Sequence, residues 1–228
     1  MKHQVISNLP LNKKFRLITF KALDQNFTFE SGQFVVVTIN NSTFRCYSIF
    51  STPQTLPFWQ IFLDVTPMGP GCRYLSKLKP DDSIDTLRVG GNLIYKHNKN
   101  HHVLFSATGC GLAALNPIIE TSLTSTDKSQ ITLFWGLRHK KDIVLKGHLD
   151  TLAHSYPNFS YFISLSQPAS RTGKTGRVTS HLIEYLKNLD KKKVAIYLCG
   201  SSDYVNEARN KLLAAKIPLS KIYFESCY

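Results

Sequence analysis

The second half of the chain alternates short apolar strands with helical segments, and this alternation constrains the fold more than any other feature. Strands are predicted at residues 103–106, 131–136, 159–164, 194–199 and 222–224. Helices are predicted between them at residues 112–121, 146–153, 180–189 and 203–215. Strand–helix–strand units join parallel strands through right-handed crossovers. The pattern therefore predicts an α/β domain with a five-stranded parallel sheet.

The first half has the pattern of an all-β domain. Strands are predicted at residues 15–22, 33–39, 44–48, 58–65 and 84–89, with one short helix at 73–78. Short strands separated by turn residues are typical of a small antiparallel barrel. A polar, basic stretch at residues 96–100 is a candidate linker. We therefore expect two domains, 1–97 and 98–228.

The heptapeptide R-C-Y-S-I-F-S at residues 45–51 combines a cation, an aromatic ring and hydroxyls on a predicted strand. Side chains alternate along a strand, so Arg45 and Tyr47 share one face. A guanidinium can fork onto a phosphate, and a phenol can lie against an aromatic ring system. Taken alone, the segment is better explained as an ordinary strand with a surface arginine. The motifs that follow it favour a ligand site.

Two glycine-rich turns lead into predicted helices, M-G-P-G-C-R-Y-L at residues 68–75 and T-G-C-G-L-A-A at residues 108–114. Such turns present backbone N–H groups at a helix N-terminus, where phosphate binds. The first turn alone fits a simple helix start equally well. The second directly follows a strand, which favours a dinucleotide site. Ligands of parallel sheets bind beyond the carboxyl ends of the strands, here residues 108–111, 136–138, 164–167 and 199–202.

Charge and cysteine content exclude several classes of protein. The formal net charge is +13, and no nucleic-acid-binding motif accompanies it. The five cysteines lack the close spacing of zinc, redox or iron–sulfur sites, and the eight histidines show no metal-binding spacing, so we predict no metal site. No apolar run approaches a membrane span. We expect a soluble, cytoplasmic protein with free thiols; the oligomeric state stays open.

Taken in order, these motifs resemble those of the ferredoxin–NADP reductase superfamily, the two-domain flavin and nicotinamide oxidoreductases, over nearly the whole chain. Its R-x-Y-S strand is matched at residues 45–48, and its G-x-x-S/T turn at Gly71, with Cys72 where Ser or Thr is usual. Its G-T-G-I-A-P turn appears as G-C-G-L-A-A at residues 109–114. A G-x-R segment ends at Arg138, the family's S-R pair appears as Ser166 and Gln167, and G-R-V-T is intact at residues 176–179.

The C-terminal elements of the family are also present, in altered form. C-G-P-P-x-M appears as C-G-S-S-D-Y at residues 199–204, without its prolines and methionine. The terminal glutamate and aromatic residue correspond to Glu225 and Tyr228. These departures bear on cofactor affinity and on the choice of nucleotide rather than on architecture.

The resemblance implies roles for individual residues. Arg45 and the Gly71–Cys72 backbone would hold FAD phosphates, Tyr47 would stack on the isoalloxazine and Ser48 would approach flavin N5. Cys199 would line the hydride path, and Glu225 would relay protons, so Ser48, Cys199 and Glu225 are the candidate catalytic residues. The remaining cofactor-binding candidates are Thr108, Gly109, Cys110, Gly111, Arg138, Ser166, Gly200 and Tyr228.

The function implied is an FAD-dependent oxidoreductase that takes hydride from NADH or NADPH and passes electrons to a separate one-electron carrier. A basic protein without its own cluster suits an acidic carrier such as ferredoxin or flavodoxin. A free-flavin reductase and a non-enzymatic flavin-binding interaction module are the alternatives. The nucleotide stays undecided, because Gln167 replaces an arginine while Arg171, Lys174 and Arg177 lie close in sequence.

Overall fold

The computed structural model describes residues 1–96, 102–126, 128–168 and 174–227, which form one antiparallel and one parallel sheet. The antiparallel sheet contains β1 (Lys2–Pro10), β2 (Phe15–Ala22), β3 (Phe34–Asn40), β4 (Thr43–Ser48), β5 (Phe58–Asp64) and β6 (Ser83–Gly90). Its spatial order is β4-β3-β6-β1-β2-β5. A single α-helix, α1 (Pro70–Lys77), connects β5 to β6.

The two edges of the antiparallel sheet meet and close it into the predicted barrel. Just after β4, Ile49 forms an antiparallel bridge with Ile61 of β5. The Phe50 N–H donates to the Gln60 carbonyl at 2.8 Å. Closure buries the inward side chains of the strands in a core that also includes Leu75 of α1. The prediction of a small antiparallel barrel is confirmed.

Strand β1 was not predicted, although it lies between β6 and β2 inside the sheet. Its register shifts between Val5 and Ser7, as at a β-bulge. A bulge interrupts the alternation of inward and outward side chains on which strand prediction depends. The strand also buries a histidine, His3, which an alternating apolar pattern does not include.

The parallel sheet contains β7 (His102–Thr108), β8 (Gln130–Leu137), β9 (Phe159–Leu165), β10 (Lys174–Thr175), β11 (Val194–Ser201) and β12 (Ile222–Cys227). The helices are α2 (Leu112–Thr124), α3 (Lys146–Ser155), α4 (Val178–Leu186) and α5 (Ser202–Ala214). The strand order is β10-β9-β8-β7-β11-β12. All five predicted strands are present, and the two-residue β10 adds a sixth at the edge, too short for an apolar pattern to reveal.

The barrel and the parallel sheet share a hydrophobic core. Phe15, Phe50 and Phe62 of the barrel pack in the same buried cluster as Leu112 and Ile118 of α2. This shared core fixes how the two sheets sit against each other. The predicted boundary between residues 97 and 98, and the candidate linker beyond Lys96, lie outside the described residues. That division stays a prediction.

A glycine turn of the barrel fits directly against α2. Gly32 has φ +102°, and a Cβ there would lie 1.9 Å from the Leu93 carbonyl oxygen and 2.6 Å from Cδ1 of Ile118. Beside it, the Ser31 and Thr121 hydroxyls hydrogen-bond at 2.6 Å. Only glycine allows this approach. Across the part of the chain that is described, no helix is long and apolar enough to cross a membrane.

Candidate functional site

Arg45 and Tyr47 lie together against the start of α1. They occupy alternate positions of β4, and a Cβ on Gly71 would lie 2.1 Å from the Tyr47 hydroxyl oxygen and 3.1 Å from Cγ of Arg45. The absence of a side chain at Gly71 therefore lets the helix approach both residues. Burial raises the pKa of the Tyr47 phenol, so it stays protonated. Arg45 is exposed and donates to the Phe44 carbonyl at 2.8 Å.

The first turn of α1 offers backbone rather than side-chain donors. The first N–H groups of a helix have no partner within it, and Gly69 caps this helix without a side-chain hydrogen bond. The Cys72 thiol donates to the Asp64 carbonyl at 3.4 Å. Burial raises the pKa of this thiol, so it stays neutral. Cys72 therefore leaves only its N–H group for a ligand at this helix start.

The end of β7 and the turn that leads from it into α2 pack against the end of β11. A Cβ on Gly111 would lie 2.3 Å from the Cys199 carbonyl oxygen, and one on Gly200 would lie 2.2 Å from Oγ1 of Thr108. Gly109 has φ +53° and open space where a side chain would be. Gly111 and Gly200 thus allow the two segments to pack closely, while Gly109 leaves room above the backbone for a ligand.

Cys199 is fully buried beneath these turns. Its side chain belongs to the core that β11 shares with α2, whereas Cys110, in the turn itself, is half-buried. A direct contact between the Cys199 thiol and a ligand would require the turn above it to move. The predicted role of Cys199 in hydride transfer stays a prediction, and its position favours support of the turn.

Arg138 and Ser166 follow β8 and β9 at the same edge. The Ser166 and Gln167 N–H groups donate to the Leu137 and Arg138 carbonyls, both at 2.9 Å, so the two segments lie side by side. Arg138 is exposed. It borders a cavity of about 530 Å³ between the barrel and the parallel sheet, and Lys13, Lys14 and Lys141 add positive charge to the cavity lining. The volume of this cavity lies within the range of small-molecule binding pockets.

Glu225 on β12 reaches across to the barrel. A Cβ on Gly91 would lie 3.4 Å from Oε2 of Glu225. Burial raises the pKa of this half-buried carboxyl to about 7. The pKa of the Cys46 thiol is raised, mainly by burial. Smaller opposing effects come from the charges of Arg88, which lowers this pKa, and Glu225, which raises it, so both side chains lie near the thiol. A carboxyl with this pKa can hold or release a proton near neutral pH.

Ser48 lies at the same junction. It pairs with Phe34 of β3, which pairs with Gly90 of β6, the residue before the glycine that Glu225 approaches. Neighbouring strands are about 4.8 Å apart, so Ser48 and Gly90 are roughly 10 Å apart across the sheet. The structure thus brings the barrel residues and the carboxyl end of the parallel sheet together along one junction.

Comparisons with known proteins agree with this geometry. Residues 105–210 match the family model of the oxidoreductase NAD-binding domain. The ferredoxin–NADP reductase B of Sorangium cellulosum is 26% identical, over 90% of this chain and 88% of its own length. A Neisseria gonorrhoeae ferredoxin–NADP⁺ reductase with bound FAD and NADP superposes with a TM-score of 0.89, covering 100% of this chain and 98% of that one, at 17% identity. The chain is thus similar in sequence to ferredoxin–NADP reductases and shares their fold.

Some of the similar proteins are longer than this chain. The phenol hydroxylase P5 protein of Acinetobacter pittii is 26% identical over 86% of this chain but only 56% of its own length. This chain thus spans little more than half of that relative. The predicted resemblance to ferredoxin–NADP reductases and the predicted two-domain fold are confirmed.

Several predicted cofactor contacts lie outside the described residues. Tyr228 and Arg171 are among them, as is the side chain of Lys174. Arg177 is described, and its guanidinium pairs with the Glu207 carboxylate at 2.5 Å. Arg177 is therefore not a free cation, which leaves exposed Arg138 as the described cation beside Gln167.

Sequence reasoning missed residues that hold the site in place. The Trp135 indole donates to the Gly109 carbonyl at 2.9 Å and fixes the glycine turn. Buried Asn116 donates to the Phe50 carbonyl at 3.2 Å, and its Oδ1 accepts a hydrogen bond from Nε2 of His148 at 2.8 Å. No periodicity or motif marks these residues. An asparagine among the apolar residues that open α2 was the one available signal for a buried polar contact.

Proposed function

We propose that this protein is an FAD-dependent NAD(P)H oxidoreductase that passes electrons to a separate one-electron carrier. The observation that carries the proposal is that Glu225 of the parallel sheet lies beside Gly91 of the barrel, in a fold whose two halves each have a glycine-rich helix start, at α1 and after β7. The FAD and nicotinamide nucleotide predicted from the sequence are the cofactors.

The barrel residues fit FAD. Arg45 supplies an exposed guanidinium beside the N–H groups of Gly71 and Cys72, and both kinds of donor suit phosphate oxygens. Tyr47 offers a neutral aromatic ring next to this helix start, and Ser48 a hydroxyl at the end of the same strand. When bound, FAD supplies the redox chemistry, because a flavin accepts two electrons and releases them one at a time.

The parallel sheet provides the second half of the site. Thr108, Gly109, Cys110 and Gly111 present backbone to a nucleotide, and Arg138 and Ser166 extend that surface beyond the next two strands. Glu225 holds or releases a proton at its carboxylate, which lies next to Gly91 of the barrel. The buried Cys199 keeps the two turns in contact, so that a nucleotide is oriented toward the barrel.

The acceptor is proposed from the surface that borders this junction. On the outer side of β3, β4 and β6, Phe44 is 40% exposed and Leu87 is 60% exposed. Arg88, next to Leu87 in β6, is also exposed. Exposed apolar side chains beside an arginine suit an acidic carrier protein that must bring its redox centre near the flavin. Relatives are named for several partners, among them ferredoxin and cytochrome b5.

A free-flavin reductase is the second candidate, and Cys72 favours it. Its thiol is occupied by the Asp64 carbonyl, so the hydroxyl contact implied for Ser or Thr at this position is lost. A weaker hold on the diphosphate would make the flavin a substrate that leaves.

Purification followed by anaerobic titration tests the proposal. We expect flavin to copurify and its visible absorbance to bleach with NADH or NADPH. A colourless protein that oxidises NAD(P)H only with added flavin supports the free-flavin reductase. A protein that retains flavin but is not reduced by either nucleotide supports the non-enzymatic module.

A further inference from the structure

The edge of the parallel sheet opposite the proposed site is rich in lysine. Segments 184–193 and 215–221 lead into β11 and β12, and together they contain six lysines and two carboxylates, a net charge of +4. We call these six residues the lysine edge: Lys187, Lys191, Lys192, Lys193, Lys216 and Lys221. All are exposed except Lys221, which is half-buried.

The register of the sheet brings the two segments together. Ile196 of β11 lies opposite Ile222 of β12. The short 3₁₀ turns that precede these strands, Lys191–Lys193 and Leu219–Lys221, therefore enter the sheet side by side. Neighbouring strands are about 4.8 Å apart, so the lysines of both turns form one surface.

The carboxylates on this surface are already engaged. Glu184 pairs with Lys187 at 2.6 Å. Asp190 caps the lysine turn by accepting from the Lys192 N–H at 3.0 Å. Among described residues, neither Lys191, Lys192, Lys193 nor Lys216 has an ion pair. These four ammonium groups are therefore available to an external anionic surface.

Two leucines project among the lysines. Leu213, in the last turn of α5, is 43% exposed, and Leu219, in the turn before β12, is 53% exposed. Single exposed leucines are ordinary, but here both flank Lys216 at the edge that carries the positive charge. Lysine charge with protruding apolar side chains is the combination that peripheral membrane proteins use at the lipid interface.

We propose that the lysine edge docks the protein on an anionic lipid surface, with Leu213 and Leu219 entering the interface. The lysine ammonium group is a point charge, which suits the diffuse negative charge of lipid headgroups. Nucleic-acid recognition instead favours the bidentate arginine fork and stacked aromatic rings. The lysine edge has neither arginine nor exposed aromatic residues. This inference does not depend on the proposed oxidoreductase activity.

The orientation keeps the proposed site accessible. β11 runs from Val194 at the lysine edge to Ser201 beside the glycine turns, so the site lies at the far ends of the strands. Eight residues at about 3.3 Å each span roughly 25 Å, about three Debye lengths at physiological ionic strength. Changing the lysines should leave the field at the site, and turnover, unaltered.

Vesicle co-sedimentation tests the proposal with phosphatidylcholine alone and with phosphatidylcholine containing phosphatidylglycerol. We expect binding to the anionic vesicles only, weakening as salt is added. Each lysine near such a surface contributes about fivefold in affinity, so the combined Lys191→Gln, Lys192→Gln and Lys193→Gln variant should bind roughly 100-fold more weakly. The matched control is Lys21→Gln, Lys77→Gln and Lys79→Gln, which removes the same charge from the barrel and should bind as wild type does.

Substitution of Leu219 by a fluorescent tryptophan tests whether this position enters the lipid interface. Trp59 and Trp135 are fully buried, so the change in emission of Leu219→Trp on adding anionic vesicles comes from the new indole. We expect a blue shift, and none for Phe58→Trp on the barrel. The proposal would be overturned if both lysine variants lost binding equally, or if Leu219→Trp showed no blue shift. It would also be overturned if the protein bound polyglutamate or an oligonucleotide but not vesicles.

Discussion

At the scale of single residues, Arg45 is the charged group of the proposed FAD site. Its side chain lies beside Gly71, and its guanidinium is exposed. We predict that Arg45→Ala weakens FAD binding, because a hydrogen bond to a charged group contributes about 1.5–3 kcal/mol. Equilibrium dialysis measures the change. Arg88→Ala, on a nearby strand and also exposed, is the control that should retain FAD, and a folded Arg45→Ala protein with wild-type affinity would exclude Arg45 from the site.

Cys199 tests whether a buried thiol positions the nucleotide turns. We predict that Cys199→Ala leaves FAD bound but slows flavin reduction by NAD(P)H. Loss of the buried thiol loosens the core beneath the glycine turn, and small misplacements are costly in hydride transfer. Stopped-flow absorbance at saturating nucleotide gives the rate. Cys199→Ser keeps nearly the same volume and should be slowed less. Wild-type rates in the alanine variant would make Cys199 an ordinary core residue.

At the scale of secondary-structure elements, the Gly32 turn positions the barrel against α2. We predict that Gly32→Ala lowers the free energy of unfolding by more than about 2 kcal/mol, since the added methyl group would overlap the Leu93 carbonyl at a positive φ. Gly147 in α3 has open space around it, so Gly147→Ala should stabilise by up to about 1 kcal/mol. Urea unfolding compares the two. Similar effects of the two substitutions would contradict this account of the turn.

The N-terminal strand β1 makes stability depend on pH through His3. The Trp59 indole donates to Nδ1 of His3 at 3.1 Å, and Nε2 hydrogen-bonds the Thr86 hydroxyl at 2.8 Å. Burial lowers the pKa of His3 from 6.5 to about 4. The folded state therefore binds a proton less readily than the unfolded chain. Its contribution to stability is complete above pH 6.5 and is lost as pH falls toward 4.

We expect the His3 contribution to fall by about 2 kcal/mol between pH 7 and pH 5. Urea unfolding at the two pH values measures the difference. His3→Gln should remove this part of the pH dependence, whereas substitution of exposed His154 by Gln should not. If the His3→Gln protein shows the same slope as wild type, another group is responsible.

The sequence predicted elements better than contacts between them. Residues 15–22 and 194–199 have the apolar patterns of their strands, and β2 and β11 form there. Pattern could not show that Gly71 touches Tyr47, because these residues lie on separate elements and meet only when the barrel closes. The burial of Cys199 likewise depends on α2 packing over β11. Strand β1 was not predicted for a local reason, since its bulge breaks the alternation of inward and outward side chains.

For the candidate site too, the sequence predicted residues better than their surroundings. Motif order predicted Arg45, Gly111 and Glu225 as site residues. In the structure Arg45 lies beside Gly71, Gly111 packs against Cys199 and Glu225 lies beside Gly91. Their chemical roles stay predictions. The shift in the Glu225 pKa was not predictable, because it arises from burial at that junction rather than from neighbouring residues in the chain.

At the scale of the whole molecule, the structure divides the positive charge among separate surfaces. Arg88 borders the proposed carrier surface, and the lysine edge lies at the far end of the parallel sheet. Net charge alone suggested one acidic partner. The distribution instead supports a carrier at the flavin side and a lipid surface at the opposite side, so each can be altered without the other.

The central claim, electron transfer through flavin to a separate carrier, is tested most directly by the salt dependence of carrier reduction. The second-order rate of reduction of an acidic ferredoxin or flavodoxin is measured at saturating nucleotide over a range of ionic strength. Turnover with a small neutral quinone is the control. We predict a steep fall for the carrier and little change for the quinone, because salt screens the steering field over a Debye length of about 8 Å. A flat response with every acidic carrier, together with efficient reduction of free flavin, would contradict the account.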